Sequence, residues 1–199
     1  MNDVILNIAG GKFPPLGLDK LTSYFLVNVD TMYYQHMAPG AVERALREWG
    51  GLASNTYNIN SDIFNFLERT TMEFDKITIY RFLEHISMDR VLYFIYLLST
   101  VTKPGNEIDV IVPNYNTLAH MILSEEANIA NDVIDFEANN ILLTTELLNE
   151  PSCPHASIWT EYRAHRFFGL EGRFKIKDVD EKFEYDGRDI YLRFKAERV

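Results

Sequence analysis

Five short runs of apolar and largely β-branched residues recur along the first 113 positions, separated by helix-length or turn-rich intervals, and this spacing constrains the fold more than any other feature. The runs are Val4–Ala9, Phe25–Asp30, Thr56–Ile59, Phe74–Tyr80 and Glu107–Val112. Each is too short for a helix and too continuously apolar for a half-exposed strand, so each reads as a buried strand. Strands that alternate with helical segments build βαβ units, and these give a parallel sheet with helices on both faces. One helical segment is expected over 39–49, where Val42, Ala45, Leu46 and Trp49 form a stripe between Pro39 and Gly50. A second is expected from Leu83 to Thr102, with Leu83, Ile86, Val91, Leu92, Ile95, Leu98 and Val101 inward and Lys103-Pro104-Gly105 as its stop.

The end of the chain has a different rhythm. Phe174–Val179 and Ile190–Ala196 alternate apolar and polar residues across a turn-rich stretch containing Asp186-Gly187, the pattern of an antiparallel hairpin. The expected fold class is therefore α/β, a Rossmann-like, mostly parallel sheet with helices on both faces and a C-terminal antiparallel hairpin. With 199 residues, of which 47% are hydrophobic and 24% charged, one domain over 1–199 is the expectation, with 127–156 as an excursion that can act as a lid.

Charge and cysteine content narrow the chemistry. A net charge of −10 works against unspecific attraction to nucleic acid or anionic membranes. The basic residues Arg163, His165, Arg166, Arg173, Lys175 and Lys177 are interleaved with acids and aromatics and read as a solvated face. The single cysteine, Cys153, precludes an internal disulfide, and with His155 alone beside it no zinc set is formed. No run reaches the roughly 18 apolar residues of a membrane span. A cytoplasmic protein without a metal, and without membrane or nucleic-acid partners, is expected.

In an open parallel sheet, ligands bind beyond the carboxyl ends of the strands, so the residues just after each strand carry the functional information. Ala9-Gly10-Gly11 follows the first strand, where glycines let the backbone approach a ligand. Asp30 ends the second, where an acid can accept hydrogen bonds from ribose hydroxyls or equally cap a helix or end the strand in solvent. Ser61 and Asp62 follow the third, within reach of an adenine amine or equally as ordinary loop residues. Tyr80 and Arg81 end the fourth. His85 is a weak candidate for a general base and Arg81 for an anion ligand; Glu84 and His85 are adjacent on the chain and do not face each other on a helix. His155 and Trp159 either border an acceptor pocket or pack beneath the excursion.

On these blocks the chain resembles the class I S-adenosylmethionine-dependent methyltransferases, in particular small methyltransferase-like proteins of bacteriophages and bacteria. Leu6–Lys12 is similar to the family's first motif, Val27-Asn28-Val29-Asp30 to its second-strand motif, and Phe74–Ile77 through Leu83-Glu84-His85-Ile86 to its fourth-strand block. Lys103-Pro104-Gly105 with Ile108–Pro113 matches its fifth-strand block in position. The resemblance implies S-adenosyl-L-methionine as cofactor, with Ala9, Gly10, Gly11, Asp30, Ser61, Asp62 and Tyr80 around it. The implied reaction is methyl transfer to a small-molecule, glycan or protein acceptor. The alternative is an inactive relative that serves through its surface, as a homo-oligomer, in a phage particle assembled in the host cytoplasm or in another assembly. Two departures from the family pattern stand out: Ala9 occupies the first glycine position, and the proline-containing segment 12–23 stands where a helix usually follows. After strand four, Tyr80-Arg81-Phe82-Leu83 lacks the Asp/Asn-Pro-Pro-aromatic signature of DNA amino-methyltransferases, which argues against nucleic-acid bases as acceptors.

Overall fold

The computed structural model describes residues 3–8, 16, 24–29, 56–59, 61–123, 156–185 and 188–199. Strand β1 (Asp3–Ile8) pairs in parallel with β2 (Tyr24–Val29), and β2 pairs in parallel with β3 (Thr56–Ile59). On its other side β1 pairs in parallel with β4 (Phe74–Tyr80), which pairs with β5 (Thr102–Pro113). The hairpin of β6 (Phe174–Tyr185) and β7 (Arg188–Arg198) completes the sheet, with β7 antiparallel to β5. The order is β3-β2-β1-β4-β5-β7-β6. The chain builds outward from β1 to β3, then returns to the opposite side of β1 to begin β4. That reversal is the topological switch point, the place at which ligands bind in open α/β sheets.

The two faces of the sheet are made of different residues, because successive side chains in a strand point to opposite sides. One face carries Leu6, Ile8, Val27, Val29, Ile77, Ile79, Ile108, Val110, Val112, Leu192, Phe194 and Ala196, all buried. Helices α1 (Ile63–Arg69), α2 (Met88–Val101) and α4 (Glu161–Phe168) cover it with Phe64, Leu67, Val91, Phe94, Leu98, Ala164 and Phe168, among others. Phe168 is the centre of an aromatic group, with ring centroids 5.2 Å from Phe194, 5.9 Å from Phe174 and 6.3 Å from Trp159. Helix α3 (Tyr115–Leu123) lies on the opposite face, where Tyr115 and Leu118 pack with Tyr80, Ile111, Tyr185 and Tyr191.

The α/β class, the mostly parallel sheet, the helices on both faces and the closing hairpin all match the sequence reading. Several details do not. The helix expected to start at Leu83 begins only at Met88: Leu83–His85 is a single 3-10 turn, and Ile86 is extended. Ser87 starts a fresh helix, with Asp89 placed favourably in its first turn. Leu92, expected inward, is 47% exposed, since the buried stripe of α2 runs through Val91, Phe94, Ile95, Leu98 and Val101. Pro104 and Gly105 lie inside β5, where the register with β4 slips between Phe74–Thr102 and Lys76–Glu107 and Gly105 takes a φ of +83°. Helix α1 was hidden behind a stretch that reads as loop. The helix expected over 39–49, and the excursion 127–156 except for Ala156, lie outside the described residues.

Candidate functional site

Ile8 stands opposite Val29 on one side and Ile79 on the other, and Val29 stands opposite Ile59. These four residues form one row across the sheet, so β1 to β4 reach their carboxyl ends together. The positions that follow this row are those singled out from sequence. Ala9, Gly10, Gly11 and Asp30 lie outside the described residues, as does His155. The others have defined places.

Asp62 is the N-cap of α1: its Oδ1 accepts a hydrogen bond from the Asn65 amide at 3.1 Å, satisfying one of the free donors of the first turn. Ser61 donates from Oγ to the Asp62 carbonyl at 3.0 Å. Arg81 leaves β4 with φ +56°, the left-handed region, which is costly for a residue with a Cβ. Its amide donates to the Ile111 carbonyl at 2.8 Å, and its guanidinium carbon lies 5.8 Å from the Tyr191 ring centroid. In the 3-10 turn, Glu84 is fully buried while His85 remains partly exposed. The two are thereby separated, as neighbours on the chain should be, and do not form a dyad.

A strap holds this turn from beneath. The Ala156 and Ser157 amides donate to the Glu84 carbonyl at 2.6 and 2.9 Å, and Ser157 Oγ donates to the Leu83 carbonyl at 2.8 Å. The indole Nε1 of Trp159 donates in turn to Ser157 Oγ at 3.0 Å, and the Trp159 carbonyl accepts from the Tyr115 amide at 3.3 Å. Trp159 is wholly buried, packed edge-on to Phe167 and Phe168. Ser157 was not foreseen. A lone serine two residues before a tryptophan carries no distinguishing signal in sequence.

Tyr80 turns its side chain into the second face of the sheet, where polar groups lie under cover. Its hydroxyl donates to Asp109 Oδ2 at 3.1 Å and accepts from the Leu16 amide at 3.2 Å. Burial first, and the Asp109 charge second, push the phenol's ionisation far above its ordinary range, so the hydroxyl keeps its proton. Asp109, itself 1% exposed, is gripped by Arg193 through two bonds: Nε to Oδ1 at 2.9 Å and Nη2 to Oδ2 at 2.8 Å. The bond to Asp109 raises the pKa of Arg193. Lys76 lies 4.0 Å from Asp109 and donates to the Leu16 carbonyl at 3.3 Å; burial lowers its pKa against the attraction of Asp109. Alongside runs a neutral ladder in which Thr78 Oγ1 donates to Asn7 Oδ1 at 2.8 Å and Asn7 Nδ2 donates to Asn28 Oδ1 at 2.7 Å. The signal for this network was present as charged or amide residues inside otherwise apolar runs, and its meaning depended on a register that brings residues 71 and 84 positions apart together.

Among the described residues no three His, Cys, Asp or Glu side chains are grouped to hold a metal ion, and no helix is long and apolar enough to cross a membrane. A groove of about 240 Å³ lies on the outer surface of the helix layer, lined by Tyr93, Tyr96, Phe167, Leu170 and Arg173, among others.

No family model and no curated protein sequence matches this chain. Solved structures do. A Nostoc punctiforme PCC 73102 protein named as an O-methyltransferase aligns over 100% of this chain and 52% of its own, with TM-score 0.64 and 13% identity. The structure of a DhpI–SAH complex aligns over 98% of this chain and 76% of its own, with TM-score 0.61 and 12% identity. The N-methyltransferase NodS from Bradyrhizobium japonicum WM9 aligns over 98% and 85%, with TM-score 0.59 and 14% identity. The chain spans about half the length of the Nostoc punctiforme protein and of the mitomycin 7-O-methyltransferase MmcR. The strand order, the reversal between β1 and β4, and the inserted antiparallel β7 are thus those of a Rossmann-like methyltransferase, and the chain has the class I methyltransferase fold.

Proposed function

We propose that the protein binds S-adenosyl-L-methionine at the carboxyl edge of β1 to β4 and transfers its methyl group to a small-molecule, glycan or protein acceptor. The observation that supports this reading is the row Ile8, Val29, Ile59 and Ile79, which ends β1 to β4 together at the topological switch point of the sheet; in the sequence, Ala9-Gly10-Gly11 and Asp30 follow directly on β1 and β2. The DhpI fold neighbour is named as a complex with SAH, S-adenosylhomocysteine, the product form of that cofactor.

The donor set suits an adenosyl group. Gly10 and Gly11 would leave room for its amino-acid portion, Asp30 would accept from the ribose hydroxyls, and Asp62 retains acceptor capacity for the adenine amine, because its cap on α1 uses one of two carboxylate oxygens. When bound, the cofactor would supply an electrophilic methyl on a sulfonium: the acceptor atom would bond to that methyl carbon while the carbon–sulfur bond breaks and the neutral thioether, S-adenosylhomocysteine, leaves with its electron pair. The protein's task is then chiefly to orient the partners. Arg81 and His85, held by the backbone bond to Ile111 and by the strap at Ala156–Trp159, stand on the turn after β4 where an acceptor would enter. Calorimetry with S-adenosylhomocysteine tests this reading: saturable binding is expected, abolished by Asp30→Ala or Gly10→Leu. A folded wild-type protein that gives no binding heat overturns it.

A further inference from the structure

Leu16 is held by its backbone on both sides. Its amide donates to the Tyr80 hydroxyl at 3.2 Å, and its carbonyl accepts from Lys76 Nζ at 3.3 Å. Both side chains project from β4 and converge on Asp109, which Arg193 fixes from β7. The Leu16 side chain packs against the cluster of Tyr80, Ile111, Tyr185 and Tyr191. A single residue whose amide and carbonyl are both taken by side chains from a neighbouring strand cannot shift along that strand without breaking two bonds. Leu16 also follows Gly11 by only five residues, so at most about 18 Å of chain joins the held point to the glycine turn.

We propose that Tyr80 and Lys76 form a clamp on the Leu16 backbone, and that, because only five residues of sequence join Leu16 to Gly11, these two residues set how tightly the cofactor is held. The inference rests on the cofactor reading above for its effect on affinity, but the clamp itself is a separate claim about Leu16. Tyr80 and Lys76 are positioning residues in this scheme, acting on the cofactor through the chain between Leu16 and Gly11. The raised ionisation of Tyr80 is in keeping with this, since a protonated hydroxyl can donate to Asp109 and accept from Leu16 at once.

The test combines amide hydrogen exchange at Leu16, without ligand, with calorimetric titration of S-adenosylhomocysteine. Tyr80→Phe and Lys76→Met should each speed exchange at Leu16 and weaken binding about fivefold, the effect of one net hydrogen bond. Thr78→Val is the control: it removes a buried hydrogen bond on the same face without touching Leu16, and should lower the thermal midpoint while leaving exchange and affinity as in the wild type. Lys76 is partly exposed, so its variant stays informative where Tyr80→Phe lowers the yield of folded protein. Fast exchange at Leu16 in the wild type overturns the clamp. Fast exchange in both variants with unchanged affinity overturns its role in cofactor binding, as does equal weakening by Thr78→Val. Absence of binding heat from the folded wild type overturns the cofactor reading together with the affinity half of this inference, and the ligand-free exchange arm judges the clamp independently.

Discussion

The two faces of the sheet are stabilised by different physics. On the face covered by α1, α2 and α4, twelve strand side chains from Leu6 to Ala196 are aliphatic or aromatic and buried. Their contribution grows with the area removed from water and depends little on direction. On the other face, beside an apolar cluster around Ile111, Leu118 and Tyr191, the same strands also offer Asn7, Asn28, Thr78, Tyr80, Asp109 and Arg193, whose worth depends on each donor meeting its acceptor. The first face should tolerate changes of shape better than loss of volume. The second should tolerate neither loss of a partner nor a substitute of the wrong geometry.

Substitutions at four positions sharpen or break this comparison. Phe168→Ala should have the largest effect, about 4 kcal/mol lost in urea unfolding, because it empties the centre of the group formed with Trp159, Phe174 and Phe194. Phe168→Leu should recover most of that loss; a leucine variant as unstable as the alanine one contradicts the picture of a tolerant face. Next is Arg193→Met, expected to cost about 3 kcal/mol by leaving Asp109 buried with less compensation. Here the conservative change should fail: Arg193→Lys cannot reproduce the two parallel bonds and should regain less than half, as read from the same unfolding curves. Thr78→Val, nearly isosteric, should cost about 1 kcal/mol through the lost bond to Asn7, and no loss at all would mean that the neutral ladder contributes nothing.

The smallest effect belongs to neither face. Asp75 and Lys103 form an ion pair of 2.7 Å between partly exposed side chains. Burial tends to raise the Asp75 carboxyl, but the hydrogen bonds from Lys103 and the Val4 amide outweigh it and hold the pKa below the ordinary 3.8. Lys103 is raised above 10.5 by the same bond. The pair's contribution is therefore present between those two ordinary values. It is lost as acid protonates Asp75 below 3.8, or as base passes the raised pKa of Lys103. Lys103→Met should be slightly less stable than the wild type at pH 7, and the difference should vanish by pH 2. A gap that widens in acid has the wrong sign and excludes this account.

Much of this was legible before any coordinates. β3 and β4 were delimited to the residue, since Thr56–Ile59 and Phe74–Tyr80 are β-rich runs with polar or turn residues on both sides. Local chemistry misled where two signals overlapped. Asp62 reads as loop and is in fact a helix cap, and the stripe through Leu83 and Ile86 continues in phase across a break that only Ser87 marks. Arg81, Glu171 and Asp178 adopt positive φ without being glycine, and no pattern announces such positions. The candidate site was visible as a set of positions after strands. The clamp on Leu16 was not, because it depends on which strand face each side chain takes once β4, β5 and β7 are in register.

The place of β7 between β5 and β6 bears on how the molecule is made. Every strand from β1 to β6 leaves the ribosome before β7, yet β5 and β6 have no pairing with each other in the finished sheet. Until β7 emerges, β5 offers an open edge bearing the buried core residues Ile108, Val110 and Val112, and β6 has nothing to pair with. An open apolar edge is a template for strands of other chains. Slow translation across 186–199, or damage there, should therefore appear first as aggregation of nascent chains and only second as lost stability in the mature protein.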